Sequence, residues 1–275
     1  MTGRAKFKKL LEPFYIGDVK VRNRLVKSTA ESCLYNENDS YMSEACKAYY
    51  ESLAKGGVGL INVESPTIDY PISMANLDGF RIDHDKYIPK LSELVQVIHK
   101  HGCPTFLQLH HAGPWHMSWS TGVQPVAASA LSQAELPGFE APRELSVAEI
   151  EEIVVKVVNA AERARKAGFD GVEINAAASH LFATFLSRLW NKRQDAYGCG
   201  SLENRAKIMV DIIGGIKNRL SRDYPVSVII NALEFGGEKG MTIWESQGLA
   251  QILEKAGADA IQLRCHRRGS VVSLW

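Results

Sequence analysis

The sequence lacks long hydrophobic runs and blocks of like charge. No apolar stretch approaches the ~18 residues that a membrane-spanning helix needs, so we expect no membrane span. The formal net charge of the 275 residues is +1. A chain without a basic stripe is a poor candidate for binding nucleic acid or a membrane surface. These absences leave small molecules as the expected partners, and they leave a homo-oligomer open.

Paired cysteines are also absent. None of the five forms a CxxC pair, so the chain shows neither zinc-site nor cluster spacing, and we predict no metal site. An odd number of scattered thiols is typical of a reducing compartment. The opening residues, MTGRAKFKKLLEPFYIG, contain basic side chains but not the apolar segment of a secretory signal. We therefore expect a cytoplasmic protein.

A weak internal repeat organises the chain. Four times, an amphipathic helical stretch ends at a glycine and is followed by a short apolar run. Glycine at this place suits a left-handed helix cap. The apolar runs lack strict alternation, which is typical of parallel strands buried on both faces. The four instances are 53–64, 98–109, 164–175 and 253–264.

Two further strand-like runs complete a strand–helix alternation, which predicts a parallel α/β sheet. No GxGxxG follows the first strand, which counts against a dinucleotide-binding domain. The best prediction is one domain over 1–275 with a TIM (β/α)₈ barrel fold, of which about six β/α units are present. The strands are expected near 24, 58, 104, 170, 225 and 258, and the helices near 43–55, 86–101, 146–167, 201–219 and 242–256.

Polar residues concentrate at the carboxyl ends of all six predicted strands. Because these ends meet on one face of a barrel, they predict a polar pocket there. The long loop 110–145 is expected on the same face, as a lid or binding loop. The polar residues are Lys27, Ser28, Thr29, Glu64, Ser65, Gln108, His110, His111, Asn175, His180, Asn231, Glu234, Arg264 and His266.

Each of these residues also has a structural interpretation. A buried Gln108 must be satisfied by backbone or by ligand. His110 and His111 are adjacent on a strand and face opposite sides, so at most one reaches a pocket. Glu64 could pair with Glu31 as in a glycosidase, but the sequence does not give their separation. The basic run that begins at Arg264 could bind phosphate or form a solvated tail.

The segment GVEINAAASHLFATFLSRLWNKRQDAYGCGSLENR resembles the signature of the Old Yellow Enzyme family, in which a strand and a loop lead into "FLS", "NKR", "D-x-YG" and "SLENR". Weaker matches extend over nearly the whole chain. The resemblance implies a (β/α)₈ barrel with FMN as cofactor and NADH or NADPH as reductant. The matching segments are 20–30, 106–113, 171–205, 225–242 and 254–266.

The resemblance also implies roles for residues around the cofactor. The stretch Ser28, Thr29 and Ala30 would lie beside the flavin. Ser65 would lie near the ring, and Gln108 would hydrogen-bond its pyrimidine end. A side-chain amide offers both a donor and an acceptor, which suits that edge.

The catalytic residues are expected after the fourth strand, where the family pattern is H-x-x-H/N-G-Y. Here Asn175 holds the first position and would polarise the substrate carbonyl. Ala178 holds the second and has no polar group. His180 stands where the proton-donating tyrosine usually is, and histidine can give a proton near neutral pH. His266 is a second candidate acid. The implied reaction transfers hydride from reduced flavin to an activated alkene.

Two further departures concern the cofactor. Ile229 occupies the place of an arginine that usually contacts the flavin. The phosphate-binding loops of the family follow strands 7 and 8, which this chain does not show. Within the family the chain is most similar to enoate and CoA-ester reductases. The resemblance to the larger members of the family implies that a longer natural chain could also carry an iron–sulfur cluster and FAD.

Three alternatives stay open at this point. A truncated barrel could lack activity of its own. A flavin enzyme on this fold could catalyse dehydrogenation or demethylation. A lyase on the same fold could use Lys27 as a Schiff-base amine, since the fold alone does not fix the chemistry.

Overall fold

The computed structural model describes residues 7–34, 41–74, 79–132, 135, 140–235 and 240–266, with the side chains of Ser120 and His266 outside the described set. The helices are α1 (Lys8–Leu11), α2 (Glu44–Lys55), α3 (Ile88–His99), α4 (Ser118–Thr121), α5 (Val147–Ala167), α6 (Leu181–Leu186), α7 (Leu202–Arg219) and α8 (Ile243–Ala256). The strands are β1 (Phe14–Ile16), β2 (Val19–Val21), β3 (Val26–Lys27), β4 (Leu60–Val63), β5 (Thr105–Leu109), β6 (Val126–Ala127), β7 (Arg143–Glu144), β8 (Gly171–Ala176), β9 (Val226–Glu234) and β10 (Ala260–His266).

Six parallel strands form the central sheet in the order β3-β4-β5-β8-β9-β10, which is also their order along the chain. A helix follows each of the first five strands before the next begins, as in a barrel of β/α units. A hydrogen bond between the two ends of the sheet shows that it curls strongly. Gln262 on the last strand donates to Ser28, beside the first strand, at 2.7 Å. The predicted barrel-type fold with six units is confirmed.

Local sequence explains where the long helices begin and end. Ser146 and Glu149 form the expected capping box at the start of α5, and Thr242 and Glu245 form another at the start of α8. Both helices end at a glycine in the left-handed conformation, where a β-carbon would be strained. The helix boundaries could therefore be predicted from these short patterns.

The outer face of the sheet packs against the helices, and here the main hydrophobic core lies. Val63 and Leu107 of the sheet and Ile153 and Val157 of α5 belong to this core and are almost fully buried. Burial of such a side chain contributes about 1.5–3 kcal/mol. Because the inner face is enclosed as well, the strands are apolar without regular alternation.

The antiparallel hairpin of β1 and β2 covers the amino-terminal end of the barrel. Ile16 and Val21 of the hairpin pack in one cluster with Leu60 and Phe106 from the sheet. Gly171 lies beside this cluster, and a β-carbon there would come within 2.7 Å of the Phe106 ring. The closed end leaves the carboxyl ends of the strands as the face on which a ligand can enter.

The two edge strands of the curled sheet expose apolar side chains. Val26 on β3 is 42% exposed and Leu263 on β10 is 60% exposed. Unpaired strand edges of this kind are usually covered or paired. Within the described ranges, no helix combines the length and apolar character needed to cross a bilayer.

Candidate functional site

Polar side chains line the inside of the barrel above its apolar floor. Gln108 and Glu173 are in register on neighbouring strands, as are Asn175 and Ile229, so each pair shares one face of the sheet. Gln108, Glu173 and Asn175 are each less than a tenth exposed. The predicted gathering of polar residues at the carboxyl ends of the strands is therefore present.

Gln108 lies at the centre of this array. Its Oε1 accepts hydrogen bonds from Ser65 Oγ at 2.5 Å and from Asn175 Nδ2 at 3.1 Å. Its Nε2 donates to Glu173 Oε1 at 2.7 Å. A flipped amide would set its oxygen against the carboxylate, so Glu173 fixes the orientation of Gln108. The array brings together three of the residues selected from the sequence, Ser65, Gln108 and Asn175.

Glu173 is fully buried beneath Gln108 and accepts two further hydrogen bonds. Asn62 Nδ2 donates to it at 2.8 Å and Thr29 Oγ1 at 3.1 Å. Burial raises the pKa of Glu173 to about 6, against the opposing effect of the hydrogen bonds from Gln108 and Thr29 and of the nearby Lys27 ammonium. The sequence analysis missed Glu173 and Asn62. Their signal was a polar residue inside each apolar strand, two positions before Asn175 and Glu64 respectively.

The residues after β3 follow the inner rim of the barrel. Ser28 accepts the hydrogen bond from Gln262, and Thr29 binds Glu173 as above. The Ala30 carbonyl accepts a 3.3 Å hydrogen bond from Lys27 Nζ. Burial lowers the pKa of Lys27, and the neighbouring carboxylates partly oppose this effect.

The loop between β8 and α6 is held in an unusual backbone conformation. Ala178 and Ser179 are consecutive non-glycine residues with φ of 55° and 63°. Such left-handed residues cost energy and persist where their surroundings hold them. Here Trp115 Nε1 donates to the Ala178 carbonyl at 3.0 Å, and the Ala178 amide donates to Asn231 Oδ1 at 3.0 Å. These contacts fix the position of His180, which follows directly.

His180 lies beside His110 at this rim. His110 Nε2 and His180 Nδ1 are 3.2 Å apart, with the two rings nearly perpendicular. Burial lowers the pKa of His110 to about 4, so this ring is neutral near pH 7. His111 follows β5, is fully buried, and its Nδ1 accepts from the Gly113 amide at 3.1 Å.

Two further residues that the sequence analysis selected are His266 and Glu64. The backbone of His266 pairs with Glu234 at the end of β10, but its side chain lies outside the described residues. Glu64 is fully buried and its Oε1 accepts from the Ser32 hydroxyl at 2.6 Å. In the part of the chain that the structure describes, no group of three or more histidine, cysteine, aspartate or glutamate side chains could hold a metal ion.

The signature segment 171–205 has a structural role beyond the site. Arg193 is 5% exposed, and its guanidinium binds the carbonyls of Ala128 and Leu145 and the Asp195 carboxylate. Arg205 donates to Glu245 at 2.7 Å and so ties α7 to α8. These residues fasten the segment after β8 to the surrounding helices and loops, and no hydrogen bond among the described residues joins them to the polar array.

The sequence profile of a family described as NADH:flavin oxidoreductase / NADH oxidase matches residues 9–272. The chain is 40% identical over 258 residues to an NADH oxidase of Thermoanaerobacter brockii. This alignment covers 94% of the chain and 39% of that protein. The chain thus spans about two fifths of this curated relative.

Solved structures show the same fold. A 2-naphthoyl-CoA reductase in complex with 2-naphthoyl-CoA superposes with a TM-score of 0.88 at 27% identity, over 96% of this chain and 41% of that one. The old yellow enzyme from Trypanosoma cruzi superposes with a TM-score of 0.84 at 25% identity, over 98% of this chain and 78% of that one.

Proposed function

The chain belongs to the NADH:flavin oxidoreductase / NADH oxidase family, and from this premise we propose that it binds FMN and acts as an NAD(P)H-dependent ene-reductase. Its proposed substrates are unsaturated acids, ketones or CoA esters with an activated C=C bond. The likeness to a 2-naphthoyl-CoA reductase supports an acyl-CoA among them. The observation that carries the proposal is the hydrogen-bonded array of Ser65, Gln108 and Asn175 inside the barrel, with the His110–His180 pair beside the strand ends.

The donor set at this face fits the ring of FMN. Gln108 Nε2 carries two hydrogens, and within the described residues Glu173 accepts one of them. For the pyrimidine edge of the flavin, the site offers the second hydrogen of Gln108 Nε2 together with the hydroxyls of Ser65 and Thr29. When bound, FMN would supply the hydride chemistry, while the protein supplies orientation and electrostatics. The six described strands of the central sheet do not include those whose loops hold the phosphate in a complete barrel.

Asn175 is the residue that we assign to the substrate carbonyl. Its Nδ2 already donates to Gln108, and its Oδ1 accepts from the Ala177 amide at 3.2 Å. The side chain is therefore held rigidly, with one more Nδ2 hydrogen to donate. A fixed donor to an oxygen that becomes negative in the transition state contributes roughly 2.7–4 kcal/mol. Ala178 offers no second side-chain donor at this position.

His180 is the residue that we assign to proton transfer. His110 occupies its Nδ1, so transfer to the substrate carbon would use Nε2. Because His110 stays neutral, it can accept a hydrogen bond from a protonated His180 and stabilise that cation. This pairing supports His180 as a general acid near neutral pH.

The first test is flavin binding by the purified chain. The protein is incubated with FMN, freed of excess by gel filtration, and its visible spectrum is recorded. We expect stoichiometric flavin that NADH or NADPH bleaches without oxygen and that an enoate or enoyl-CoA ester reoxidises. A colourless protein would favour the non-catalytic alternative. Flavin that is reduced by an acyl-CoA thioester, or by an amine with release of formaldehyde, would favour dehydrogenation or demethylation.

The second test separates the proton donor from the flavin site. His180→Phe should keep FMN and its reduction by NAD(P)H but lose about 10²–10⁴-fold in alkene-dependent reoxidation. The control is His99→Phe, at an exposed histidine in the last turn of α3, which precedes β5 and so lies at the opposite end of the barrel; it should reoxidise at the wild-type rate. Equal rates in both variants would remove His180 from the mechanism.

A further inference from the structure

Arg264 lies on the inner face of the barrel and not in a solvated tail. On the same strand, Ala260 packs in the floor cluster and Gln262 bonds to Ser28 across the barrel. Leu263 faces the opposite way and is largely exposed. Side chains alternate along a strand, so Arg264 shares the inward face with Ala260 and Gln262.

The guanidinium of Arg264 has no counterion within the described chain. It is half-buried, and no hydrogen bond or ion pair to a described residue accompanies it. Burial alone lowers the pKa of Arg264. Other desolvated arginines here are satisfied: Arg193 binds Asp195, and Arg22 binds the carbonyls of Ala54, Val58 and His101. A desolvated cation without an acceptor is costly, so an acceptor from a ligand would stabilise it.

The position of Arg264 relative to Ile229 indicates where such a ligand would bind. Ile229 is in register with Asn175 on one side and with Gln262 on the other. Arg264 stands one strand over and two residues further towards the mouth. With strands about 4.8 Å apart and a rise of about 3.3 Å per residue, the two Cα atoms lie about 8 Å apart. An extended arginine side chain covers that distance, so its guanidinium can lie above the apolar Ile229 side chain.

We propose that Arg264 faces the pyrimidine edge of bound FMN and supplies the positive charge that the isoleucine at position 229 does not. The proposal rests on the proposed function, because it needs a bound flavin. The pyrimidine edge carries negative charge after reduction, and the buried carboxylate of Glu173, which is bonded to Gln108, opposes that charge. A cation entering from β10 offsets this repulsion and favours reduction of the flavin.

Sulfite titration of the FMN-loaded full chain tests the proposal. Sulfite adds its electron pair to N5 of oxidised flavin, which forms an N–S bond and leaves negative charge on the pyrimidine ring. Arg264→Gln should raise the sulfite dissociation constant at least tenfold. The same tenfold loss would lower the two-electron reduction potential by about 30 mV. The sulfite dissociation constant of Arg264→Lys should lie between those of wild type and Arg264→Gln.

Rescue and control variants separate this role from a structural one. Ile229→Arg combined with Arg264→Gln should restore tight sulfite binding, since it returns a cation to the neighbouring position. Arg219→Gln removes an exposed arginine that pairs with Glu162 on the helical layer, and it should leave sulfite binding unchanged.

Three outcomes would overturn the assignment. Flavin-loaded Arg264→Gln with wild-type sulfite affinity and potential would show that Arg264 does not face the ring. Weaker binding of FMN but unchanged binding of riboflavin would place Arg264 at the phosphate instead. A wild-type chain that retains no flavin would overturn the proposed function and this inference with it.

Discussion

Replacing Glu173 with glutamine should remove a pH dependence of stability that the buried carboxylate creates. Glu173 lies in the middle of the barrel and accepts hydrogen bonds from Asn62, Gln108 and Thr29. Despite these three donors, burial raises its pKa to about 6 from an ordinary value of 4.5. The fold therefore favours the protonated acid over the carboxylate, and ionisation destabilises the folded state.

The size of the effect follows from the pKa shift. A difference of about 1.5 pKa units corresponds to about 2 kcal/mol. Below pH 4.5 the acid is protonated in both the folded and the unfolded chain, and the cost is absent. Above about pH 6 the acid is ionised in both states, and the cost is complete. The contribution of Glu173 to the free energy of unfolding should thus fall by about 2 kcal/mol as the pH rises through this window.

Urea denaturation of wild type and Glu173→Gln, at steps between pH 4 and 7, measures this contribution as a difference. Other groups titrate in the same range. His110, whose pKa burial lowers to about 4, makes the folded state less stable as the pH falls. Because both proteins contain it, its effect cancels in the difference.

Glu149→Gln is the matched control. The pKa of Glu149 is lowered to about 2, mainly by its hydrogen bonds from Arg143. Its stabilising effect is complete above pH 4.5 and is lost only below that, so this variant should run parallel to wild type between pH 4.5 and 7. A Glu173→Gln curve that also runs parallel to wild type over that window would refute a raised pKa at Glu173.

Two further predictions concern packing around the site. Gly113→Ala should cost at least 2 kcal/mol more in unfolding free energy than Gly122→Ala by urea denaturation. Both glycines have positive φ, but a β-carbon at Gly113 would lie 2.7 Å from the Leu181 backbone, whereas a β-carbon at Gly122 would have no neighbouring atom within 4 Å. Equal losses of unfolding free energy in the two variants would contradict the clash. Arg193→Met should lose about 3–5 kcal/mol by leaving the Asp195 carboxylate and two carbonyls unpaired. A midpoint within 2 °C of wild type in thermal denaturation would contradict that role.

The order of strands and helices could be predicted because each β/α unit encodes it locally. The capping boxes at Ser146 and Thr242 and the glycine stops at Gly168 and Gly257 act within one turn of helix. Parallel strands buried on both faces have apolar runs that stand out from the helices. These signals need no knowledge of distant residues, so the sequence contains them in readable form.

The internal polar network could not be predicted in the same way. Glu173 bonds to Thr29 and Asn62, which lie 144 and 111 residues away along the chain. Whether a polar residue in an apolar strand meets a partner depends on the curl of the whole sheet. The same holds for Arg264, for which a solvated tail and an anion site stayed open until the register of β10 placed it inside the barrel.

The segment that identifies the family is largely a scaffold, and this explains why family and chemistry are separate questions here. Arg193 and Arg205 of the signature bind carbonyls and carboxylates that hold the region after β8 in place. The loop that bears His180 is held instead by Trp115 and Asn231. The positions at which the sequence analysis expects this chain to depart from the family pattern, Ala178, His180 and Ile229, fall on the inner face or the rim. Under the proposed function, substrate choice and flavin potential should therefore follow these few positions, and exchanging them would alter the reaction without altering the barrel.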